Sequence, residues 1–331
     1  MQISFDEAVR LYEDLEPELK IPSQHPNYLL IDSERENGLE PTFFAFLEDG
    51  EIYYHAYHMS QVPETPYYDV QSPYGYGGAV STTTNQDFLK RAWSSYQNWC
   101  SQNNVLAEFV RFHPFVQNWR FYQGEALFDR ETVWIDLKQE DLLSGYQSRT
   151  RNTLRKATKS GVTVGWCDQK EFFRWFPSLY EDLMKKLDAS HFYFFPHEYY
   201  QAWSTSDYGH YAICQKEGEI VAAAVFYHFG QIMEYHLSAS NEIGKRYAAN
   251  TLLIHEAGMR GKLLNCKYLH LGGGTNHLPD NPLFAFKAGF SDHRSDYYIG
   301  KYIHLPKEYE KVKAEWESQN GKASNRILFY R

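Results

Sequence analysis

The sequence lacks the features that mark disulfide-rich, metal-binding and membrane-spanning proteins. It has only four cysteines, far apart in the chain: Cys100, Cys167, Cys214 and Cys266. They form no C-x-x-C pair and no metal-ligand spacing with histidine, so we expect reduced thiols and no metal site. The N-terminus has no apolar leader, and the longest aliphatic run, 220–226, is too short to cross a bilayer. These absences predict a cytoplasmic protein without a membrane span.

Motifs of covalent catalysis and of nucleotide binding are also missing. The chain has no G-x-S-x-G elbow, no Walker loop, no G-x-G-x-x-G fingerprint and no H-E-x-x-H pair. Its net charge of −9 argues against a general nucleic-acid binder, which needs a broad cationic surface, although a local basic groove stays open. What remains is an enzyme that works by positioning and electrostatics, or a binding protein.

The sequence does have the length and the apolar content for a substantial fold. Its 331 residues, of which 43% are hydrophobic, are enough for one large or two ordinary domains. Aromatic residues make up 17%, including 27 tyrosines, which suit amphipathic clefts where a ring packs and a hydroxyl forms a hydrogen bond. Most of these rings are nevertheless expected in half-buried sheet positions.

The same order of secondary structure is predicted twice along the chain. Apolar runs within 43–58 flank Asp49-Gly50, a pair that favours a tight hairpin turn, and runs within 210–227 flank Gly218 in the same way. Each hairpin is followed by a strand, a helix and another strand. We therefore predict a duplicated α/β (α+β) unit, with a mixed sheet flanked by helices in each of two lobes.

The predicted lobes are residues 1–138 and 139–331. Helical spacing at 4–15, with Ser4 as the capping residue, opens the first lobe, whereas the short apolar run 29–31 is predicted as a strand. Further helices are expected at 88–100, 142–160, 172–187, 197–203, 251–264 and 307–318.

One of these helices is strongly basic. Its cations are Arg149, Arg151, Arg155, Lys156 and Lys159. Arg151 and Arg155 are four residues apart and share a helical face, and arginine forks suit phosphate oxygens. The helix is therefore either a phosphate clamp or, as charge runs usually are, a solvated face.

Two groups in the first lobe are candidate substrate ligands: Tyr74, Tyr76 and Gly77 in a loop, and Arg111 and His113 in a strand. The glycine-tyrosine loop suits a planar or sugar-bearing ligand, with a plain turn as the alternative. The arginine and the histidine share a strand face by the two-residue period. A lone histidine at a strand end is also a common structural hydrogen-bond partner.

A lysine among aromatic residues follows a run of glycines near the end of the second lobe. Glycines 272–274 end an apolar run, and their missing side chains let the backbone at Gly273 pass close to a ligand. Lys287 is the lone charge among the phenylalanines of 284–290. Such a cation either snorkels to water or faces an anionic or oxygen-rich group, and the residues alone leave both readings open.

Five motifs follow one another in order between residues 142 and 304. They are Arg149-Thr-Arg-Asn-Thr-Leu-Arg-Lys-Ala-Thr-Lys-Ser-Gly-Val162, Leu-Tyr-Glu-Asp-Leu-Met-Lys at 179–185, the hairpin 217–224, Ala-Ala-Asn-Thr-Leu-Leu at 248–253, and the closing loop formed by 271–274 and 286–290. Together they resemble the Fem-type, peptidoglycan bridge-forming transferases of the GNAT superfamily; the first lobe matches more loosely.

This resemblance implies two tandem GNAT-like lobes with a cleft between them. It also implies transfer of an acyl or aminoacyl group to a primary amine by direct attack, which requires a deprotonated amine and a donor for the oxyanion. In the family pattern, Lys287 stabilises the oxyanion or the acyl donor. His236 and Tyr235 lie on the strand that carries the donor in this superfamily, which makes them candidate proton handlers.

The resemblance also supplies candidate donor-binding residues: Gly244, Lys245, Arg246, Asn250 and Gly273. A helix N-terminus after 241–249 favours phosphate, but this segment departs from the Q/R-x-x-G-x-G/A pyrophosphate pattern. The donor is therefore acyl-CoA or aminoacyl-tRNA. The acidic charge balance and the absence of the long helical arm of staphylococcal-type enzymes favour acyl-CoA, as a co-substrate rather than a bound cofactor.

The expected function is an N-acyltransferase that moves an acyl group such as acetyl from acyl-CoA to a primary amine. The expected acceptor is a sugar or cell-envelope precursor, which a nucleotide can carry. Two alternatives stay open: an aminoacyl-tRNA-dependent transferase that adds an amino acid to a peptidoglycan precursor, and a non-catalytic GNAT-like protein that binds a nucleotide-linked sugar.

Overall fold

The chain divides into two units of mixed α/β structure. A computed structural model describes residues 1–278 and 280–331. Unit 1 comprises Met1–Asp129 together with Asp296–Arg331, and unit 2 comprises Arg130–Ser295. Unit 1 is therefore discontinuous in sequence, because its last segment follows the whole of unit 2. The division into lobes at residue 138 stays a prediction.

The regular elements alternate between strands and helices along the chain. The strands are β1 (Glu40–Glu48), β2 (Glu51–Gln61), β3 (Tyr68–Gln71), β4 (Val80–Ser81), β5 (Val105–Arg111), β6 (Glu125–Asp136), β7 (Val162–Cys167), β8 (Gly209–Lys216), β9 (Glu219–Phe229), β10 (Ile232–Ser240), β11 (Tyr268–Gly272) and β12 (Arg294–Ile303). The helices are α1 (Phe5–Asp14), α2 (Pro26–Ser33), α3 (Gln86–Gln102), α4 (Ser148–Lys159), α5 (Gln169–Lys186), α6 (His197–Ser204), α7 (Glu242–Arg246), α8 (Ala249–Leu263), α9 (Pro282–Ala288) and α10 (Pro306–Asn320).

The two units share one pattern of strand pairing. In unit 1 the order is β1-β2-β3-β5-β12, with β4 also on β2; β3 and β5 are parallel and the other pairs are antiparallel. In unit 2 the order is β6-β11-β10-β9-β8-β7, where β10 and β11 are the parallel pair. Each unit thus has a hairpin, a third strand, helical structure and a parallel strand, which confirms the predicted duplication.

The two predicted hairpins have the same turn geometry. Asp49 and Gly50 have φ of 52° and 83°, and Glu217 and Gly218 have φ of 54° and 86°. Positive φ at both central residues is the type I′ turn, whose twist matches that of the flanking strands. The predicted N-cap is also confirmed, because the Ser4 side chain accepts a hydrogen bond from the Glu7 amide in a full capping box.

One predicted strand is wrong. The apolar run 29–31 lies inside α2 rather than in a strand. Pro26 occupies the first helical turn, where a missing N–H costs nothing, and the His25 ring accepts a hydrogen bond from the Asn27 amide at 3.2 Å. The proline therefore starts a helix here instead of extending a loop.

The core of unit 2 lies between α8 and its sheet. Leu253, Ile254 and Ala257 on the helix pack with Ala222 and Ala224 on β9, and all are buried. Small residues on β9 let the helix lie close to the sheet. Of the helices in residues 1–278 and 280–331, none combines the length and the apolar character needed to cross a bilayer.

Candidate functional site

Two parallel strands part near the middle of the sheet in unit 2. The ladder between β10 and β11 covers only Ile232–Glu234 and Tyr268–His270, although β10 continues to Ser240 and β11 to Gly272. Against β9, the register of β10 shifts at His236, which marks a bulge. Bulges re-aim side chains and backbone. In the described chain, β10 beyond Glu234 therefore presents a backbone edge without a β11 partner.

A buried lysine lies beside the end of β11. Lys287 is only 8% exposed, and its Nζ donates a hydrogen bond to the carbonyl of Gly273 at 2.7 Å. It sits on α9, whose N-terminus is capped by Asn281. Burial lowers the pKa of Lys287 to about 7, against the opposing charge of Glu234. Near neutral pH both the amine and the ammonium forms are populated, so this side chain can accept or donate a proton.

A buried carboxylate-histidine pair stands where the two strands separate. Glu234 and His270 are paired in the parallel register, and His270 Nδ1 lies 2.9 Å from Glu234 Oε2. Both side chains are buried. This pair was not predicted from the sequence, although a signal existed: each residue interrupts an otherwise apolar or aromatic strand, Met233-Glu-Tyr235 and Leu269-His-Leu271.

The two predicted proton handlers on β10 have different surroundings. His236 Nε2 lies 2.9 Å from the Tyr199 hydroxyl, on α6. The Tyr235 ring stacks on Phe226 at 5.4 Å, and its hydroxyl donates to the Ser238 hydroxyl. Burial raises the pKa of Tyr235 to about 12, so it is a neutral phenol near pH 7. As a phenol, Tyr235 can donate a proton but does not serve as a base.

The predicted donor-binding segment is a tightly packed turn. A Cβ at Gly244 would lie 2.2 Å from the Val221 carbonyl oxygen, so only glycine fits there, and the Gly244 amide donates to Asn241 Oδ1 at 2.9 Å. The other side chains contact residues of unit 2. Lys245 donates a hydrogen bond to Glu242 at 3.4 Å, and Asn250 donates one to Ser240 at 3.3 Å. The Arg246 guanidinium lies over the Tyr247 ring at 5.6 Å.

The basic helix α4 packs against the lysine-bearing turn. A Cβ at Gly289 would lie 2.3 Å from Thr150 Oγ1, and the Gln147 amide donates to the Gly289 carbonyl at 2.9 Å. Of the two predicted clamp residues, Arg151 is half-buried and bonds to Ser148 Oγ at 2.9 Å, whereas Arg155 is exposed and bonds to Asn152 Oδ1 at 3.0 Å.

In unit 1, Arg111 holds the glycine-tyrosine loop in place. Its Nε donates to the carbonyl of Gly75 at 3.1 Å, and its terminal nitrogen donates to the carbonyls of Ser72 at 2.9 Å and Pro73 at 2.7 Å. A guanidinium whose donors serve three loop carbonyls has few left for a ligand. Its role in this geometry is to fix the loop 72–78.

The remaining predicted residues of unit 1 lie in or against the same loop. His113 is buried, its Nδ1 accepts the amide hydrogens of Phe115 at 3.2 Å and Val116 at 3.4 Å, and the Tyr76 ring meets it edge-on at 5.2 Å. The Tyr74 amide donates to Asp32 Oδ2 at 2.8 Å. A Cβ at Gly77 would lie 2.7 Å from Ser72 Oγ. The loop is thus a fixed platform that carries two tyrosine rings.

The predicted residues therefore fall into two groups by unit. Tyr74, Tyr76, Gly77, Arg111 and His113 cluster in unit 1; Lys287, His236, Tyr235, Arg151, Arg155, Gly244, Lys245, Arg246, Asn250 and Gly273 belong to unit 2. In the second group, the contacts described above join two predicted residues directly in one case, the hydrogen bond from Lys287 to the Gly273 carbonyl.

Known proteins share the pattern of the second unit. Residues 144–287 match the family model for acetyltransferase (GNAT) domains. Residues 144–287 therefore form a GNAT acyltransferase domain. This range contains α4, the parting strands β10 and β11, and Lys287. No curated protein matches the sequence significantly.

Solved structures extend the likeness in fold to nearly the whole chain. The crystal structure of FemX has a TM-score of 0.74 at 16% identity, covering 94% of this chain and 98% of that chain. L-PGS from Bacillus licheniformis has a TM-score of 0.58 at 14% identity, with 87% and 96% covered. A tandem GNAT protein from the clavulanic acid biosynthesis pathway has a TM-score of 0.51 at 11% identity, with 91% and 97% covered. The predicted Fem-like, tandem GNAT fold is confirmed.

Proposed function

We propose that this GNAT acyltransferase moves an acyl group from acyl-CoA to a primary amine of a sugar or cell-envelope precursor in the cytoplasm. The observation that carries the proposal is Lys287: a buried lysine with a pKa of about 7, bonded to the backbone beside the end of β11. A primary amine is protonated near pH 7 and must lose a proton to attack, so a nearby amine with a matched pKa suits this reaction.

The proposed step is a direct transfer. The acceptor nitrogen attacks the thioester carbonyl, the carbon–sulfur bond breaks, and CoA leaves as a thiol. The Lys287 amine takes the proton that the acceptor nitrogen loses, and the resulting ammonium passes it to the departing sulfur. The backbone edge of β10 beyond Glu234 supplies N–H groups for the oxyanion, because this stretch has no β11 partner in the described chain.

The Glu234–His270 pair supports Lys287 in this proposal. The carboxylate raises the pKa of the lysine against the effect of burial. Without it, Lys287 would be neutral over a wider pH range and a weaker base. The Gly273 carbonyl fixes the position of Nζ. Both are positioning groups rather than reactants.

We propose that loop 72–78 of unit 1 binds a ligand through Tyr74 and Tyr76. Their rings suit the faces of a sugar or a base. The donor phosphates are assigned to the α7–α8 turn with Lys245 and Arg246, and a phosphate of the substrate to Arg151 and Arg155 of α4.

One observation favours a second donor, aminoacyl-tRNA. On α4, Arg149, Arg155, Lys156 and Lys159 are exposed, and none forms an ion pair with a described residue. Exposed cations in a row suit an RNA backbone. In that case the product would carry an added amino acid rather than a simple acyl group such as acetyl.

The first test is activity of the Lys287→Met variant. We expect wild type to release CoA thiol from acetyl-CoA in the presence of amino sugars or their UDP derivatives. Loss of the proton acceptor should lower kcat about 100-fold or more. The melting temperature should not fall, because methionine removes the cost of burying an amine. Lys170→Met, at an exposed position on α5, is the matched control and should keep full activity.

Ligand-induced thermal shifts separate the donors. Protection by acetyl-CoA supports the proposal. Protection by charged tRNA, with none by acetyl-CoA, would replace it by the aminoacyl transferase. Protection by UDP-sugars alone, with no turnover of either donor, would leave a binding protein.

A further inference from the structure

Two histidines meet at one end of the sheet in unit 2. His210, near the start of β8, and His228, near the end of β9, lie with Nε2 and Nδ1 2.7 Å apart. His210 is opposite Phe226 in the register, and His228 follows two residues later, so both side chains are on the same face. Neither ring is fully buried.

An arginine with one unpaired nitrogen lies over a ring on this face of the sheet, since Trp166 is opposite Ala212, two residues after His210 on β8. The Arg260 guanidinium, in the last turn of α8, lies over the Trp166 ring at 5.6 Å. Its Nε is buried and has no hydrogen-bond partner, and it forms no ion pair with any described residue. Glu256, one turn earlier on α8, is not paired with it. A buried guanidinium N–H without a hydrogen-bond partner is costly unless an acceptor completes it.

Burial and the charge of Arg260 both act on the two histidine rings. Burial, the neighbouring ring and the Arg260 charge lower the pKa of His210 to about 4, and burial and Arg260 lower that of His228. No carboxylate contributes to either shift. Both rings are therefore neutral near pH 7, and the Arg260 guanidinium supplies the positive charge of the cluster.

This cluster is separate from the proposed transfer site. His228 is opposite Met233 on β10, so the cluster shares the sheet face of Met233, whereas Glu234 points to the other face. Arg260 also lies ten residues along α8 from Asn250, about 15 Å at the helical rise. The proposed donor-binding turn is at the opposite end of that helix.

We propose that His210, His228 and Arg260 form a binding site for a phosphate group. Two neutral histidines that share one hydrogen bond keep one N–H donor and one lone pair for a ligand. A phosphate that carries one proton matches both, since P–O accepts and P–O–H donates. The guanidinium fork supplies the charge and further donors.

The test is titration of the purified full chain with inorganic phosphate and with methyl phosphate, at pH 6.5 and constant ionic strength in chloride. Histidine ring NMR signals report binding at the cluster, and calorimetry gives the affinity. We expect the His210 and His228 ring signals to shift with phosphate. Sulfate, which carries no proton at this pH, should bind at least tenfold more weakly. Tighter binding of methyl phosphate than of inorganic phosphate assigns the site to phosphate esters, and the reverse order to free phosphate.

Matched variants make the test specific. Arg260→Gln and, independently, His228→Asn should each weaken phosphate binding tenfold or more, whereas Arg174→Gln, an exposed arginine on α5, should not. Melting curves confirm that each variant is folded, and the second variant stands in if the first is not. Unchanged ring signals with phosphate, equal binding of sulfate, or equal affinity in the folded variants would each overturn the proposal.

Discussion

At the scale of single residues, Lys287 links ionisation to rate. Its pKa of about 7 means that the amine form increases as the pH rises through neutrality. If the amine is the proton acceptor, kcat/KM should increase about tenfold per pH unit below pH 7 and level off above it. The assay should use a weakly basic acceptor amine, so that the ionisation of the acceptor does not affect the rate in this pH range. A rate that falls above pH 7 would instead assign the ammonium to the oxyanion.

A second residue, Glu108, anchors the core of unit 1. This buried carboxylate accepts hydrogen bonds from Tyr122 at 2.6 Å and Tyr96 at 2.9 Å, and lies 3.2 Å from His304 Nε2. Although burial opposes ionisation, these contacts hold the pKa of Glu108 below its usual range. Its stabilising effect is thus present above the unfolded pKa and is lost as the pH falls through the folded one.

We expect Glu108→Gln to destabilise the protein by about 3 kcal/mol at pH 7, because it breaks a buried charged network. The difference from wild type should shrink toward pH 3. Urea unfolding at several pH values measures both quantities. A pH-independent difference would mean that the side chain acts through packing alone.

At the scale of elements, the α7 turn depends on close approach to β9. Gly244→Ala would place a methyl group 2.2 Å from the Val221 carbonyl oxygen, so the backbone must shift. We expect a lower melting temperature and weaker acetyl-CoA binding. Gly165→Ala, on β7, is the control, because its Cβ would make only an ordinary 3.9 Å contact with Ile213. Equal effects of the two variants would contradict a special role for the turn.

Local signals predicted most of these elements. The hairpins follow from Asp49-Gly50 and from Gly218, since turn chemistry acts over adjacent residues. The strand prediction for 29–31 was wrong because a run of three apolar residues is compatible with a strand and with a buried helix alike. Strand β12 was not predicted.

The candidate site was only partly predictable. Lys287 stood out because its aromatic neighbours are adjacent in sequence. Glu234 and His270 are 36 residues apart, and only the parallel register of β10 and β11 brings them together. Likewise, Arg111 looked like a ligand because the sequence does not show that loop carbonyls use its donors.

At the scale of the whole molecule, the last segment of the chain completes unit 1. Strand β12 pairs with β5 through Ile299–Ile303, and the Phe112 amide donates to the Tyr298 carbonyl at 3.0 Å. Tyr309 on α10 joins a buried cluster with Leu106. His304, which contacts Glu108, comes from the same segment.

Truncation after Ser295 should therefore unfold unit 1 selectively. Hydrogen exchange measured by mass spectrometry should show loss of protection in β5, because its β12 partner is gone. Helix α8, whose core contacts lie within unit 2, serves as the internal control and should stay protected. Unchanged protection of β5 would contradict the assignment of 296–331 to unit 1.

The split of unit 1 along the chain has a consequence for its biosynthesis. Translation delivers β5 well before β12, and all of unit 2 is made in between. On the ribosome, unit 2 can close as soon as Ser295 emerges, whereas β5 waits with one open edge. Open strand edges invite pairing with other chains. The nascent protein is thus most dependent on chaperones while its second half is being synthesised, and its yield should be sensitive to the speed of elongation there.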